Sequence, residues 1–116
     1  MIQLLDEISL DASQLPALRH LLAERYLPGA KARGMLLAAE WISPPVAVPG
    51  EPNTLWLLWQ LPDLARWWGM RAQAAADPTV AALWREVDGV CRTRRRHVLA
   101  LADQPLPYPV EDEHAA

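Results

Sequence analysis

Within 116 residues, strand-like and helical stretches follow one another in the order β, α, β, β, α, a short further α, and β. That order constrains the fold more than any other feature of the chain. A chain of this length makes one domain. One antiparallel sheet with the helices on one face satisfies the order and gives an α+β, βαββαβ sandwich. Right-handed crossovers then place the first and third strands at the centre of the sheet. The other sheet face stays open, and its apolar residues need a cover that a second copy of the chain can supply.

Residues 2–10 (IQLLDEISL) lack helical spacing and read as a strand. Asp11 or Ser13 is expected to cap the first helix, with Pro16 in its first turn. Leu15, Leu18, Leu22 and Tyr26 give that helix an apolar face, and Pro28-Gly29 is expected to stop it. Residues 34–42 read as the second strand. The Pro-rich stretch 43–53 then reads as a loop, because proline cannot supply ladder hydrogen bonds. Residues 54–61 (TLWLLWQL) are apolar on both parities, as in a strand covered on both faces. Pro62-Asp63 opens a helix in which Leu64, Trp67, Trp68, Arg71, Ala72 and Ala75 share one broad face. Asp77-Pro78 restarts a helix over 79–87 that turns Val80, Leu83, Trp84 and Val87 inward. Residues 90–101 read as the last strand. The domain is expected to span 1–102, leaving 103–116 as a Pro-rich acidic tail, extended or disordered.

Charge and composition exclude several functions. The net charge of −3 argues against nucleic acid as a partner. No segment approaches the roughly 20 apolar residues of a membrane span. The N-terminus carries acids where a signal peptide needs basic residues. One cysteine, Cys91, can form no internal disulfide, so a reducing, cytoplasmic setting is expected. GxGxxG, P-loop, GxSxG and HExxH motifs are absent. The three histidines are too dispersed to suggest a zinc site, and no metal is expected.

The chain has six Trp but no Phe. Trp56-Leu57-Leu58-Trp59, the helix Arg66-Trp67-Trp68-Gly69-Met70-Arg71, the Asp77-Pro78 break, Leu83-Trp84 and the Arg-rich last strand together resemble the NIPSNAP-type members of the dimeric α/β-barrel superfamily. The resemblance implies a ferredoxin-like chain that dimerises sheet to sheet into an α/β barrel. It also implies a pocket between each sheet and its own helices. Family members include cofactor-independent monooxygenases, isomerases, lyases and haem enzymes, so the resemblance leaves the chemistry open.

Asp6 and Glu7 sit mid-strand and point to opposite faces, so at least one is covered. A buried carboxylate is either paired, here with an arginine of the last strand, or shifted upward in pKa and usable as a general acid or base. Glu40 shares a parity with Leu36, Ala38 and Ile42 and interrupts an apolar row on an expected edge strand. His97 lies on the last strand, within reach of Asp6 or Glu7 if the first and last strands are neighbours. A carboxylate–imidazole pair would make it a general base. Trp67, Trp68 and Arg71 lie within one helical turn and could hold a flat substrate together with its negative charge. Trp56 and Trp59 face opposite sides of their strand, one toward the helices and one toward a dimer interface. His20 is either surface or pocket wall. His114 lies in the tail. The run Arg92, Arg94, Arg95, Arg96 is split by strand alternation, with Arg95 facing away from the other three. Cys91 reads as a buried structural thiol.

Together these residues suggest a small cofactor-independent enzyme of isomerase, lyase or monooxygenase type, acting by proton transfer on an apolar cyclic or aromatic metabolite. Asp6, His97 and Glu40 are the catalytic candidates. Trp59, Trp68, Arg71, Trp56, Trp67, Arg95, Tyr26 and His20 are the substrate-binding candidates. In this reading Arg71 or Arg95 stabilises an enolate, while Trp68 and Trp59 exclude water. No cofactor is expected, with haem left open. The rival reading is a non-catalytic binding or interaction protein of the same fold. A filled core in which Asp6 is already bound to an arginine would favour that rival.

Overall fold

The first strand, β1 (Ile2–Leu10), alternates buried and half-buried residues along its whole length in the computed structural model, which describes residues 1–107. Its even positions, from Ile2 to Leu10, face the helices, and its odd positions face away. β1 is followed by a single 3-10 turn (Ala12–Gln14), α1 (Leu15–Arg25), α2 (Leu27–Ala32), β2 (Leu36–Ser43), β3 (Asn53–Leu61), α3 (Leu64–Ala76), α4 (Pro78–Asp88) and β4 (Thr93–Ala100). All strand pairs are antiparallel and the sheet order is β2-β3-β1-β4, so β1 and β3 are central as expected. The fold is an α+β, ferredoxin-like βαββαβ sandwich with its helices on one face.

The core lies between the helices and the inner face of β1 and β3. Leu4, Ile8, Leu55, Leu57, Trp59 and Leu61 meet Leu18, Leu22, Tyr26, Leu83 and Val87 there. The first helix departs from its expected ends. Neither Asp11 nor Ser13 caps α1, whose N-cap position is Gln14 and makes no side-chain capping bond. Asp11 instead pairs with Arg92. Pro28-Gly29 does not stop the helix either. The chain turns at Tyr26 and restarts as α2, where Pro28 falls in the first turn and its missing N–H is not needed. The segment ends at Gly34, whose φ of +89° is the left-handed region that glycine enters without strain.

α3 and α4 begin as the sequence suggests. The Asp63 carboxylate accepts from the Arg66 backbone N–H, and Asp77 accepts from that of Thr79. The buried side of α3 is narrower than its sequence suggested. Met70 is its one fully buried residue, while Trp68 stands 55% exposed and Ala72 and Ala75 face solvent. Among the described residues no helix is long and apolar enough to cross a membrane. Residues 101–107 carry neither helix nor strand. The rest of the expected tail, with His114, lies outside the described residues.

Candidate functional site

Asp6 is almost completely buried at the centre of the sheet, directly opposite Arg96 of β4. Arg96 donates to it through Nε (2.7 Å) and Nη2 (2.9 Å), the side-on fork that fits a carboxylate. The Trp59 ring N–H donates to the same carboxylate at 2.9 Å. Arg96 Nη2 also donates to the Tyr26 hydroxyl at 3.2 Å. Burial works against the Arg96 charge, but the hydrogen bonds and charge of Asp6 outweigh it and hold the guanidinium above the usual arginine range. Tyr26 in turn meets the Trp59 and Trp84 rings edge-on, with centroids at 5.5 and 4.9 Å. Asp6 is thus engaged by three donors. It is the buried ion pair of the rival reading, with its carboxylate committed to Arg96 and Trp59.

The arginine side of this network opens into a cleft of about 470 Å³ between α3 and β4, lined by Trp67, Met70, Arg71, Ala74, Arg96 and Val98. The Arg71 guanidinium lies 5.2 Å from both the Trp67 and Trp68 ring centroids. None of the ion pairs among the described residues engages Arg71. With Arg96 balanced by Asp6, the cleft therefore presents one uncompensated positive charge beside apolar and aromatic walls.

The other candidates fall elsewhere. His97 does not meet Asp6. The two have opposite parity in neighbouring strands, so His97 lies on the open sheet face, with its Nε2 3.0 Å from Glu7 Oε1. Arg95 is on that open face too, opposite Glu7, and cannot share a ligand with Arg71 inside the cleft. Trp56 also pairs with Glu7 there, while Trp59 faces the helices. Trp68 meets Trp67 with the rings tilted by 49° and their centroids 4.6 Å apart, but does not line the cleft. Tyr26 is buried and held by Arg96. His20 is exposed on α1.

Glu40 corrects the parity count. The register shifts between Leu37 and Ala39, so Leu37, Glu40 and Ile42 pair with Trp59, Leu57 and Leu55 on the helix-covered side. Leu36 falls on the open face. A β-bulge inverts every later position of its strand, and alternation alone does not reveal it. Glu40 then reaches Arg19 of α1 at 3.4 Å, beside a small slot of about 90 Å³ floored by Leu57 and Trp59.

Arg19 is a partner the sequence did not point to, and Arg96 is the last-strand arginine that the expected carboxylate pairing left unspecified. Arg96 was within reach, since it shares a face with Asp6 once β1 and β4 are aligned. Cys91 is half-buried, not fully buried as its sequence suggested; partial burial pushes its thiol up, with Asp88 adding to the effect. No group of three or more potential metal-ligating side chains occurs among the described residues.

No protein-family model matches the chain, and no curated protein is similar in sequence. Solved structures do match it. An uncharacterized NIPSNAP domain protein from Burkholderia xenovorans is 16% identical, with a TM-score of 0.68 over 90% of this chain and 99% of that one. A NIPSNAP family protein of unknown function from Agrobacterium tumefaciens is 15% identical, with a TM-score of 0.65 over 85% and 86%. A presumed antibiotic biosynthesis monooxygenase from Deinococcus radiodurans is 14% identical, with a TM-score of 0.60 over 94% and 100%. At such identities the likeness shows the fold alone: this chain has the ferredoxin-like fold shared by NIPSNAP domain proteins and monooxygenase-like proteins, as the resemblance in its sequence implied.

Proposed function

We propose that the chain handles a small, flat, largely apolar metabolite bearing one negative charge, held in the cleft between α3 and β4. One observation carries this reading. Arg71, without a carboxylate partner among the described residues, lies against the Trp67 ring in a cleft that the Asp6-bound Arg96 also lines. A ring that packs against Trp67 and Met70 would bring a carboxylate or enolate oxygen between the two arginines. The cleft volume suits a molecule of metabolite size. The proposed setting is the cytoplasm, and the proposed mode is cofactor-independent.

Calorimetry with 2-naphthoate and 2-naphthamide tests the reading. The carboxylate is expected to bind at least about tenfold more tightly, a difference of about 1.4 kcal/mol. Equal affinity for acid and amide would contradict it.

A catalytic reading of isomerase, lyase or monooxygenase type has a narrower support, the His97–Glu7 pair. A carboxylate bonded to one ring nitrogen orients the imidazole and leaves the other free for proton transfer. That pair lies on the open sheet face, among Leu5, Trp56 and Leu58, with Leu99 43% and Trp41 51% exposed nearby. The proposed homodimer, sheet against sheet, would enclose it. Turnover that survives His97→Gln in a dimeric protein would remove this second reading.

A further inference from the structure

α3 has a second flank, away from β4, and a separate cavity of about 290 Å³ runs along it. Arg33, Asp63, Arg66, Gly69, Met70 and Gln73 line it. We propose that this cavity is an oxyanion-binding site, distinct from the α3–β4 cleft, which takes the carboxylate or phosphate group of a small molecule.

Three observations converge on it. The first is Arg33, whose Nε and Nη2 are buried with no hydrogen-bond partner among the described residues. Buried polar groups are nearly always paired, so two idle donors on one guanidinium need an explanation. Nε and Nη2 form the guanidinium edge that grips a planar oxyanion with two parallel bonds. The group rests over the Tyr26 ring at 5.5 Å, and Arg33 forms part of the cavity wall.

The second is Gly29. A Cβ there would come within 3.0 Å of Arg33 Nη1, so a residue without a side chain leaves the room the guanidinium occupies.

The third is Gly69, in the interior of α3. Glycine weakens a helix relative to alanine, and here no close approach demands it: an added Cβ would meet nothing within 4 Å. Gly69 is exposed and forms part of the cavity wall. Arg66 adds a second cation whose side chain joins none of the ion pairs among the described residues. Asp63, the one carboxylate on the cavity wall, accepts from the Arg66 backbone N–H. Two guanidinium groups thus stand at the cavity against Asp63 on its wall, with the Asp77 carboxylate also acting on the Arg33 charge.

The test is an NMR titration with inorganic phosphate and, separately, with acetate. Saturable shifts are expected at the Gly69 amide and at the Arg33 Nε–H, and the tighter of the two ions identifies the ligand group. Arg33→Gln should weaken binding by at least about tenfold. Gly69→Ala should raise the thermal midpoint, since alanine favours the helix, yet weaken binding because its methyl enters the cavity. Arg71→Gln should leave the titration unchanged, which separates this site from the cleft across the helix. No saturable shift with either ion would overturn the proposal. So would shifts that persist in Arg33→Gln, or a Gly69→Ala protein that binds as the wild type does.

Discussion

Asp6 and Arg96 face each other across the β1–β4 ladder and close a two-bond fork, at 2.7 and 2.9 Å, beneath the helices. This pair does two things. It fills the sheet centre with a neutralised charge, and it fixes one guanidinium in the wall of the cleft.

Removing one partner alone leaves a buried charge without compensation. Asp6→Ala and Arg96→Met should each lower the unfolding free energy by about 3–5 kcal/mol, read from urea denaturation. The double variant Asp6→Leu/Arg96→Met should recover most of that loss, because apolar residues of similar volume replace the pair. Additive losses in the double variant would show that the two do not act as a pair.

Arg71 is exposed and joins no ion pair among the described residues, so its role should separate from stability. Arg71→Gln is expected to change the unfolding free energy by less than about 0.5 kcal/mol. The same variant should lose most of the preference for 2-naphthoate over its amide. A large drop in the melting temperature would instead mark Arg71 as structural.

Two aspartates set an acid limit. Hydrogen bonds from Thr79 hold the Asp77 carboxyl below the usual range, and hydrogen bonds from Arg94 do the same for Asp88. A carboxyl whose folded pKa lies below its unfolded value contributes stability above the unfolded value, about pH 4. That contribution is lost as the pH falls through the folded value. Urea midpoints should therefore begin to drop near the unfolded value, about pH 4, and keep falling as the pH passes through the lower folded values. Asp88→Asn should be less stable than wild type at neutral pH and should show a shallower decline in acid.

The open sheet face leads to a prediction about assembly. Leu36 and Trp41 of β2 are 63% and 51% exposed on it, with Trp56 and Leu58 of β3 alongside. Sedimentation velocity should show a dimer, and Leu58→Arg should yield a folded monomer. A wild-type monomer at every concentration would contradict the proposed sheet-to-sheet pairing.

Much of the fold was legible because the alternation along β1 and β3 is strong and long. Ile2, Leu4, Ile8 and Leu10 repeat at period two, and Leu55, Leu57, Trp59 and Leu61 do the same. Leu15, Leu18, Leu22 and Tyr26 marked the buried helix face with equal clarity. The site was less legible, for two physical reasons. The extra residue in β2 reverses the face of Glu40, and alternation carries no sign of it. The pairing of Asp6 with Arg96, and of Glu7 with His97, depends on a β1–β4 register that local sequence does not encode. Parity alone separates Asp6 from His97 once that register is known. In α3, apolar residues all round hid which side meets the sheet, and Met70 took the place that Trp68 was expected to share.

The most direct test of the account is where an aromatic carboxylate binds. Amide chemical-shift mapping with 2-naphthoate should move Trp67, Arg71, Arg96 and Val98 together, and Arg71→Gln should abolish the effect. Shifts centred instead on Trp56, His97 and Leu99, or no saturable shifts at all, would contradict the assignment of the α3–β4 cleft as the ligand site.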